Sequence, residues 1–272
     1  MARPRLYTLN EKYFDEIDTD NKAYLLGFIY ADGCISNNRL EISLSNKDKK
    51  ILEFIKDELE YNGPISEYNI KNNKYNRLTI CSKKLSYTLV KKGILENKTY
   101  TSKTLPFFNN RFSPFLLGFF DGDGSIYKSF NKSKNITEYG ICFACNQSIL
   151  LEIKELIIDY NISSCEIRKR YNNDISCMLE IRGNINIEKM YNFLYNNKTT
   201  CYLERKNNLF VEFITQLKKI NRRNIPQNTI NEIKKLYISG NKQYEIANKL
   251  KIPNSSIRCV IQRLRKNNEI LN

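Results

Sequence analysis

The chain has 272 residues, enough for two or three small domains, and its 41% hydrophobic content can build a real core. Lys and Arg number 44 against 29 Asp and Glu, a net charge of +15, so a polyanion, most often nucleic acid, is the expected partner. Histidine is absent, which excludes Ser-His-Asp triads, Cys-His pairs, HNH-type nucleases and His-ligated zinc. No apolar run approaches the roughly 20 residues that span a bilayer, so a membrane role is not expected. A coding bias toward Asn, Lys, Ile and Tyr would inflate lysine without any function, but it does not explain why acids fail to keep pace. Of the eight cysteines, only Cys142 and Cys145 have metal-like spacing. They sit in the strand-like run "YGICFACN" with no second pair, and read as strand core. Free thiols without a signal peptide point to a reducing compartment: the cytoplasm of a bacterial or phage-infected cell, or an organelle, and not secretion.

In chain order, the first strong signal is "YLLGFIYADGCI", from Tyr24 to Ile35. An apolar run of helical length ends in Asp32-Gly33. A hairpin follows, "CIS" and "RLEISLS", turning at Asn37-Asn38. Next come a helical pattern over 47–59, a second hairpin ("PISEYNI" and "YNRLTICS") turning at Asn72-Asn73, and a helix, "KLSYTLVKKG". At Phe115 to Ile126 the opening motif returns as "FLLGFFDGDGSI", with Asp123 at an offset of 91 from Asp32. The same order follows: strands "SIYKSF" and "TEYGICFAC", a helix over 148–159, a hairpin of "SCEIRKR" and "ISCMLEIR" turning at 171–174, and a helix over 186–195. Ile181 matches Ile80 at an offset of 101, so the first hairpin of the second copy has gained ten residues. Each copy is predicted to run αββαββα, with strands polar on one side and apolar on the other. The expected class is α+β, with two sheets, each covered by helices on one face, forming a basic saddle.

Beyond Lys219 the composition shifts. "KKINRRNIPQN" reads as a linker, and three helical patterns follow over 229–238, Gln243–Leu250 and 255–265. Ala247 and Ile257, ten apart, fit the packing contacts of a helix-turn-helix, although Lys251 holds the turn position where glycine is usual. Ser255, Ser256, Arg258 and Arg263 would then face DNA. The expected domains are 1–105, 106–218, a linker over 219–226, and an all-α domain over 227–272.

The two repeated motifs pose a physical problem. A helix apolar nearly all round is buried. Gly27 and Gly118 stand at the same place in each copy, and glycine inside a helix is most easily explained by close approach of another backbone. Two parallel helices touching at these glycines would bring Asp32 and Asp123 side by side. Carboxylates are disfavoured at helix C-termini and repel one another. The arrangement makes sense if divalent cations bind there, with the carbonyls of Ala31 and Gly122 contributing.

"LLGFIYADG" and "LLGFFDGDG" resemble the paired signatures of LAGLIDADG homing endonucleases, and the resemblance spans about 21–217. It implies a single-chain, pseudo-twofold monomer that hydrolyses double-stranded DNA across the minor groove at a long, asymmetric site, leaving 3′ overhangs. Carried over residue by residue, Asp32 and Asp123 are the metal ligands for Mg²⁺, with Mn²⁺ or Ca²⁺ able to substitute for binding. Asp121 is the earlier acid of the second motif; Tyr30 replaces it in the first, so it is not a ligand needed in both halves. The family's basic residue near each site matches Lys98 or Lys103 in one copy, and Lys198, Arg205 or Lys206 in the other, with Lys98 and Lys206 favoured. Arg39, Glu41, Ser43, Arg77, Thr79, Arg168, Arg170 and Arg182 are the candidate strand readers of base edges. Two other functions stay open: a DNA-binding regulator without cleavage, against which the retained acids argue, and a maturase acting on intron RNA.

Overall fold

The computed structural model describes residues 6–94, 104–106, 108–131, 136–171, 173–221, 225–267 and 269–270. Helix α1 (Asp20–Asp32) begins at Thr19, whose side chain accepts from the Lys22 backbone N–H, and Asp20 sits favourably in its first turn. Its interior is buried from Ala23 to Ala31. The chain leaves it directly into β1 (Gly33–Ser36), then β2 (Arg39–Ser45). The turn residues Asn37 and Asn38 have φ of 49° and 58°, the two positive values a two-residue type I′ hairpin needs. A short 3₁₀ turn leads into α2 (Lys49–Glu58), which buries Ile51, Leu52 and Ile55. Strands β3 (Ile65–Ile70) and β4 (Asn73–Cys81) follow. Their turn falls on Lys71 and Asn72, at φ 44° and 67°, one residue earlier than expected, and Asn73 already pairs with Ile70. Lysine disfavours positive φ, but here the register of the flanking strands imposes it on Lys71. Helix α3 (Lys83–Lys91), capped by Ser82 on the Leu85 N–H, closes the copy.

The second copy repeats this order: α4 (Phe112–Asp123), β5 (Gly124–Asn131), β6 (Ile136–Cys145), α5 (Gln147–Ile158), β7 (Arg168–Tyr171), β8 (Asn173–Arg182) and α6 (Asn184–Tyr195). Each copy forms a four-stranded antiparallel sheet, β1-β2-β4-β3 and β5-β6-β8-β7. The insertion lies where the offsets placed it. Gly33 pairs with Ile42, while Gly124 pairs with Phe143. Period-2 burial holds: Leu40, Ile42, Leu78 and Ile80 are buried in one sheet, and Ile141, Phe143, Leu179 and Ile181 in the other. Strand β7 is shorter than "SCEIRKR" suggested, starting only at Arg168. Neither Cys142 nor Cys145 forms a disulfide; the first is buried and the second half-buried. Three residues apart on one strand, their side chains point to opposite faces and cannot chelate together.

Helix α7 (Glu204–Asn221) was not anticipated; it runs three residues into the expected linker, to Asn221. The chain divides into two compact units inside it, 1–214 and 215–272. In the second unit, α8 (Gln227–Ile238), α9 (Gln243–Leu250) and α10 (Asn254–Lys266) enclose Ile230, Ile233, Ile246, Ala247, Ile257, Ile261 and Leu264. Ala247 and Ile257 do share that core. Lys251 has φ 53°, the left-handed conformation that ends α9. Among the described residues no helix is long and apolar enough to cross a membrane.

Candidate active site at the ends of the paired helices

Helices α1 and α4 pack against each other along their length, and two glycines set how closely. A Cβ placed on Gly27 would lie 2.0 Å from the carbonyl oxygen of Phe115, and one on Gly118 would lie 1.9 Å from that of Tyr24. Further along, a Cβ on Gly122 would stand 2.2 Å from the Ala31 Cβ and 3.4 Å from Asp32 Oδ2. Tyr24 therefore meets Gly118, Gly27 meets Phe115, and Ala31 meets Gly122: the helices are parallel. Arg111 Nη1 to Asp20 Oδ1, at 2.5 Å, ties their N-terminal ends. Their C-terminal ends, with Asp32 and Asp123 as last residues, lie together, and both acids are exposed. Ala31 is buried and Gly122 half-buried beside them. Gly33 and Gly124, which follow the acids and lead into the first strands, are extended, at φ −77° and −89°. Their requirement is space: a Cβ on either would stand 2.6 Å from the carbonyl oxygen of Ile29 or Phe120.

Two polar groups behind this surface are more deeply buried than the sequence suggested. Asp121 is 1% exposed. Its Oδ2 accepts from the Tyr24 hydroxyl at 2.9 Å and from the Leu203 N–H at 2.8 Å, joining α4, α1 and the segment before α7. Burial pushes its carboxyl up to about 6, against the pull of Lys206. It is a structural tie, set inside the seam and away from the exposed acids. In the other motif the pseudo-equivalent positions are Tyr30 and Phe115, which meet ring to ring at 6.3 Å. Lys206, 4% exposed, donates to the carbonyls of Phe120, Asp121 and Gly124 at 2.5, 2.7 and 2.7 Å. It caps the C-terminal end of α4 and neutralises the partial negative charge there. Burial pushes its ammonium down to about 8, with Asp121 pulling the other way.

Of the alternatives to Lys206, Arg205 makes a bidentate pair with Asp48 at 3.0 Å, which raises its pKa, and the charges of Asp121 and Asp32 add to that shift. The Lys198 backbone N–H donates to Asp20 Oδ2 at 2.8 Å, at the start of α1 and a helix length away from Asp32. Lys98 and Lys103 fall outside the described residues. Among the strand candidates, Arg39, Ser43, Arg168, Arg170 and Arg182 are exposed, while Glu41, Arg77 and Thr79 are half-buried. Arg77 is held by Glu41 Oε1 at 3.3 Å and Ser43 Oγ at 3.2 Å. On α10, Arg258 and Arg263 are exposed and Ser256 is half-buried; the Ser255 side chain is outside the described set.

The donor set at the helix ends is all oxygen: two carboxylates and the neighbouring main-chain carbonyls. That suits a hard divalent cation such as Mg²⁺. Among the described residues no group of three or more acidic or cysteine side chains converges, so a cation here would need oxygens from beyond the protein's side chains.

A family profile described as a LAGLIDADG-like domain matches residues 20–92 and 113–194, one span for each copy. A search of curated protein sequences finds no match. Among solved structures, the I-LtrWI LAGLIDADG homing endonuclease bound to target DNA is similar with a TM-score of 0.51 at 15% identity, over 78% of this chain and 93% of that one. The LAGLIDADG meganuclease I-AabMI bound to uncleaved DNA gives 0.52 at 15% identity, over 74% and 91%. I-SmaMI bound to an uncleaved DNA target in the presence of calcium ions gives 0.51 at 16% identity, over 81% and 98%. At such identities the likeness is one of fold.

Proposed function

The chain belongs to the LAGLIDADG family, and from that premise we propose that it is a site-specific endonuclease that hydrolyses both strands of duplex DNA. The observation that carries this is the placement of Asp32 and Asp123, exposed at the adjoining C-terminal ends of two parallel helices. A helix C-terminus carries partial negative charge that disfavours carboxylates, and a bound cation would offset it. The DNA-bound relatives, and calcium in one of their structures, support the same reading.

In this reading Asp32 and Asp123, with the carbonyls of Ala31 and Gly122, hold Mg²⁺ or a substitute divalent ion. The bound ion supplies Lewis-acid charge for activating water and stabilising the leaving 3′-oxygen. The protein's own residues fix where this happens. Gly27 and Gly118 set the spacing of the helices, hence of the two acids. Lys206 holds the α4 terminus in shape, and the wet faces of the sheets position the duplex. The scissile phosphates lie across the minor groove, and cleavage leaves 3′ overhangs on a long asymmetric site bound by a monomer. The three-helix unit acts as a helix-turn-helix that grips flanking DNA, with α10 as its reading helix and Ser256, Arg258 and Arg263 toward the duplex. The enzyme works in the compartment that holds its target DNA.

The test is cleavage of a randomised duplex library, or of the uninterrupted host locus, with Mg²⁺, with EDTA, and by Asp123→Asn. Double-strand cuts that need Mg²⁺ and vanish in the variant, while DNA binding persists, are expected. Tight specific binding with no cutting by wild type under several divalent ions would reject the endonuclease.

A further inference from the structure

On the outer face of the second sheet, one carboxylate is out of place. Glu180 lies on β8 in a cross-strand row with Cys142 of β6 and Ser125 of β5, two residues after Asp123. A surface that meets DNA should expel an acid, yet the Glu180 side chain is only 11% exposed. Both of its oxygens are engaged. Oε1 accepts from the Tyr127 hydroxyl at 2.8 Å, and Oε2 accepts from Arg182 Nη2 at 2.6 Å. The next row outward is Tyr127, Gly140 and Arg182. Gly140 is the gap that lets the tyrosine cross: a Cβ there would stand 2.4 Å from the Tyr127 hydroxyl. Two side chains, Tyr127 from β5 and Arg182 from β8, thus converge on one acid, while the Arg182 side chain stays 54% exposed.

We infer that Glu180 is a positioning residue for base recognition, fixing Arg182 to read a single guanine. The inference rests on the proposed sequence-specific binding of duplex DNA. An exposed carboxylate would accept from cytosine N4; Glu180, 11% exposed and already bonded at each oxygen, leaves the reading to its neighbour. An exposed arginine is ordinarily a mobile point of attraction for any phosphate. Clamped at one Nη, its guanidinium plane is fixed and its remaining parallel N–H donors match the O6 and N7 acceptors of guanine. The clamp therefore acts on selectivity more than on affinity. On the first sheet Arg77 has a looser arrangement, since its partner Glu41 is 32% exposed and 3.3 Å away.

The test is a binding selection from a randomised duplex library by full-length wild type, Arg182→Ala, Glu180→Gln, Glu180→Ala and Tyr127→Phe, with melting temperatures beside it. Wild type is expected to enrich guanine at one position where Arg182→Ala does not. Both Glu180 variants should lose on the order of tenfold discrimination at that same position and keep preferences elsewhere. Tyr127→Phe, which keeps the ring and all charges, should lose less at the same place and melt as wild type does. The inference is overturned if the Glu180 variants retain the guanine preference, if they weaken all sequences equally, or if a cytosine preference is lost at another position, which would make Glu180 itself a reader. If wild type cuts and selects a site while these variants match it, this inference alone falls. If wild type enriches no sequence, the recognition reading falls and takes this one with it.

Discussion

Asp121 and Lys206 show how far a residue's neighbours can move its chemistry. Asp121 titrates near 6 in the fold against an ordinary 3.8, because burial disfavours its charged form. Between those pH values the folded chain binds the proton more tightly than the unfolded one. Its stability relative to Asp121→Asn is therefore fully present below pH 3.8 and lost as pH rises through about 6. Urea unfolding of the two proteins in metal-free buffer should show that difference shrink by about 3 kcal/mol across the window. A difference that stays flat would count against the buried carboxyl. Lys206 uses all three ammonium protons on carbonyls. Lys206→Met should cost about 3 kcal/mol, since buried carbonyls lose their donor. Lys206→Arg should not restore it, because a flat guanidinium cannot converge on three oxygens as an ammonium does. If Lys206→Met unfolds like wild type but no longer cuts DNA, the residue serves the reaction and not the helix end.

At the scale of elements, the parallel contact of α1 and α4 depends on the absence of two side chains. Gly27→Ala and Gly118→Ala each drive a methyl into a main-chain carbonyl 2.0 or 1.9 Å away. Backbone cannot swing aside as a side chain can, so each substitution should destabilise the first unit by about 3 kcal/mol. Calorimetry is the check, and melting unchanged within error would mean the helices can slide apart at little cost. These glycines were legible in the sequence because they recur at matched positions inside apolar runs, where helix propensity argues against them. The strand order was legible for a similar reason: period-2 patterning and paired asparagine turns. The turn at Lys71-Asn72 was not, since its register was decided by the whole sheet and not by the local preference of lysine. Helix α7 carries its own period, with Phe210, Phe213 and Leu217 buried along it at helical spacing, but the basic composition around it reads as linker.

At the scale of the whole molecule, the second unit has its own core and a charge suited to DNA: nine Lys and Arg against three Asp and Glu in 225–272. Removing 222–272 should leave the unfolding transition of the first unit within about 1 kcal/mol, since its core residues are retained. DNA affinity should fall, with a shallower dependence on salt because fewer phosphates are neutralised. Filter binding at several salt concentrations separates the outcomes. An unchanged salt slope would mean the three-helix unit does not touch the duplex.

The sequence alone determined the duplication, the αββαββα order of each copy, the two acids and the two glycines between them, because each is carried by repetition, period or an exception to propensity. It could not decide which groups those acids have for company. Asp121 bonds to Tyr24 across 97 positions and to Leu203 across 82, and Lys206 reaches the end of a helix more than 80 residues earlier. Nor could it show that Gly33 and Gly124 are required for space, or that Glu180 is held by Tyr127 of another strand together with Arg182 of its own. Hydrogen bonds and burial are properties of distance in space. Only the packing of the two copies, which brings distant stretches together at the helix ends, fixes them.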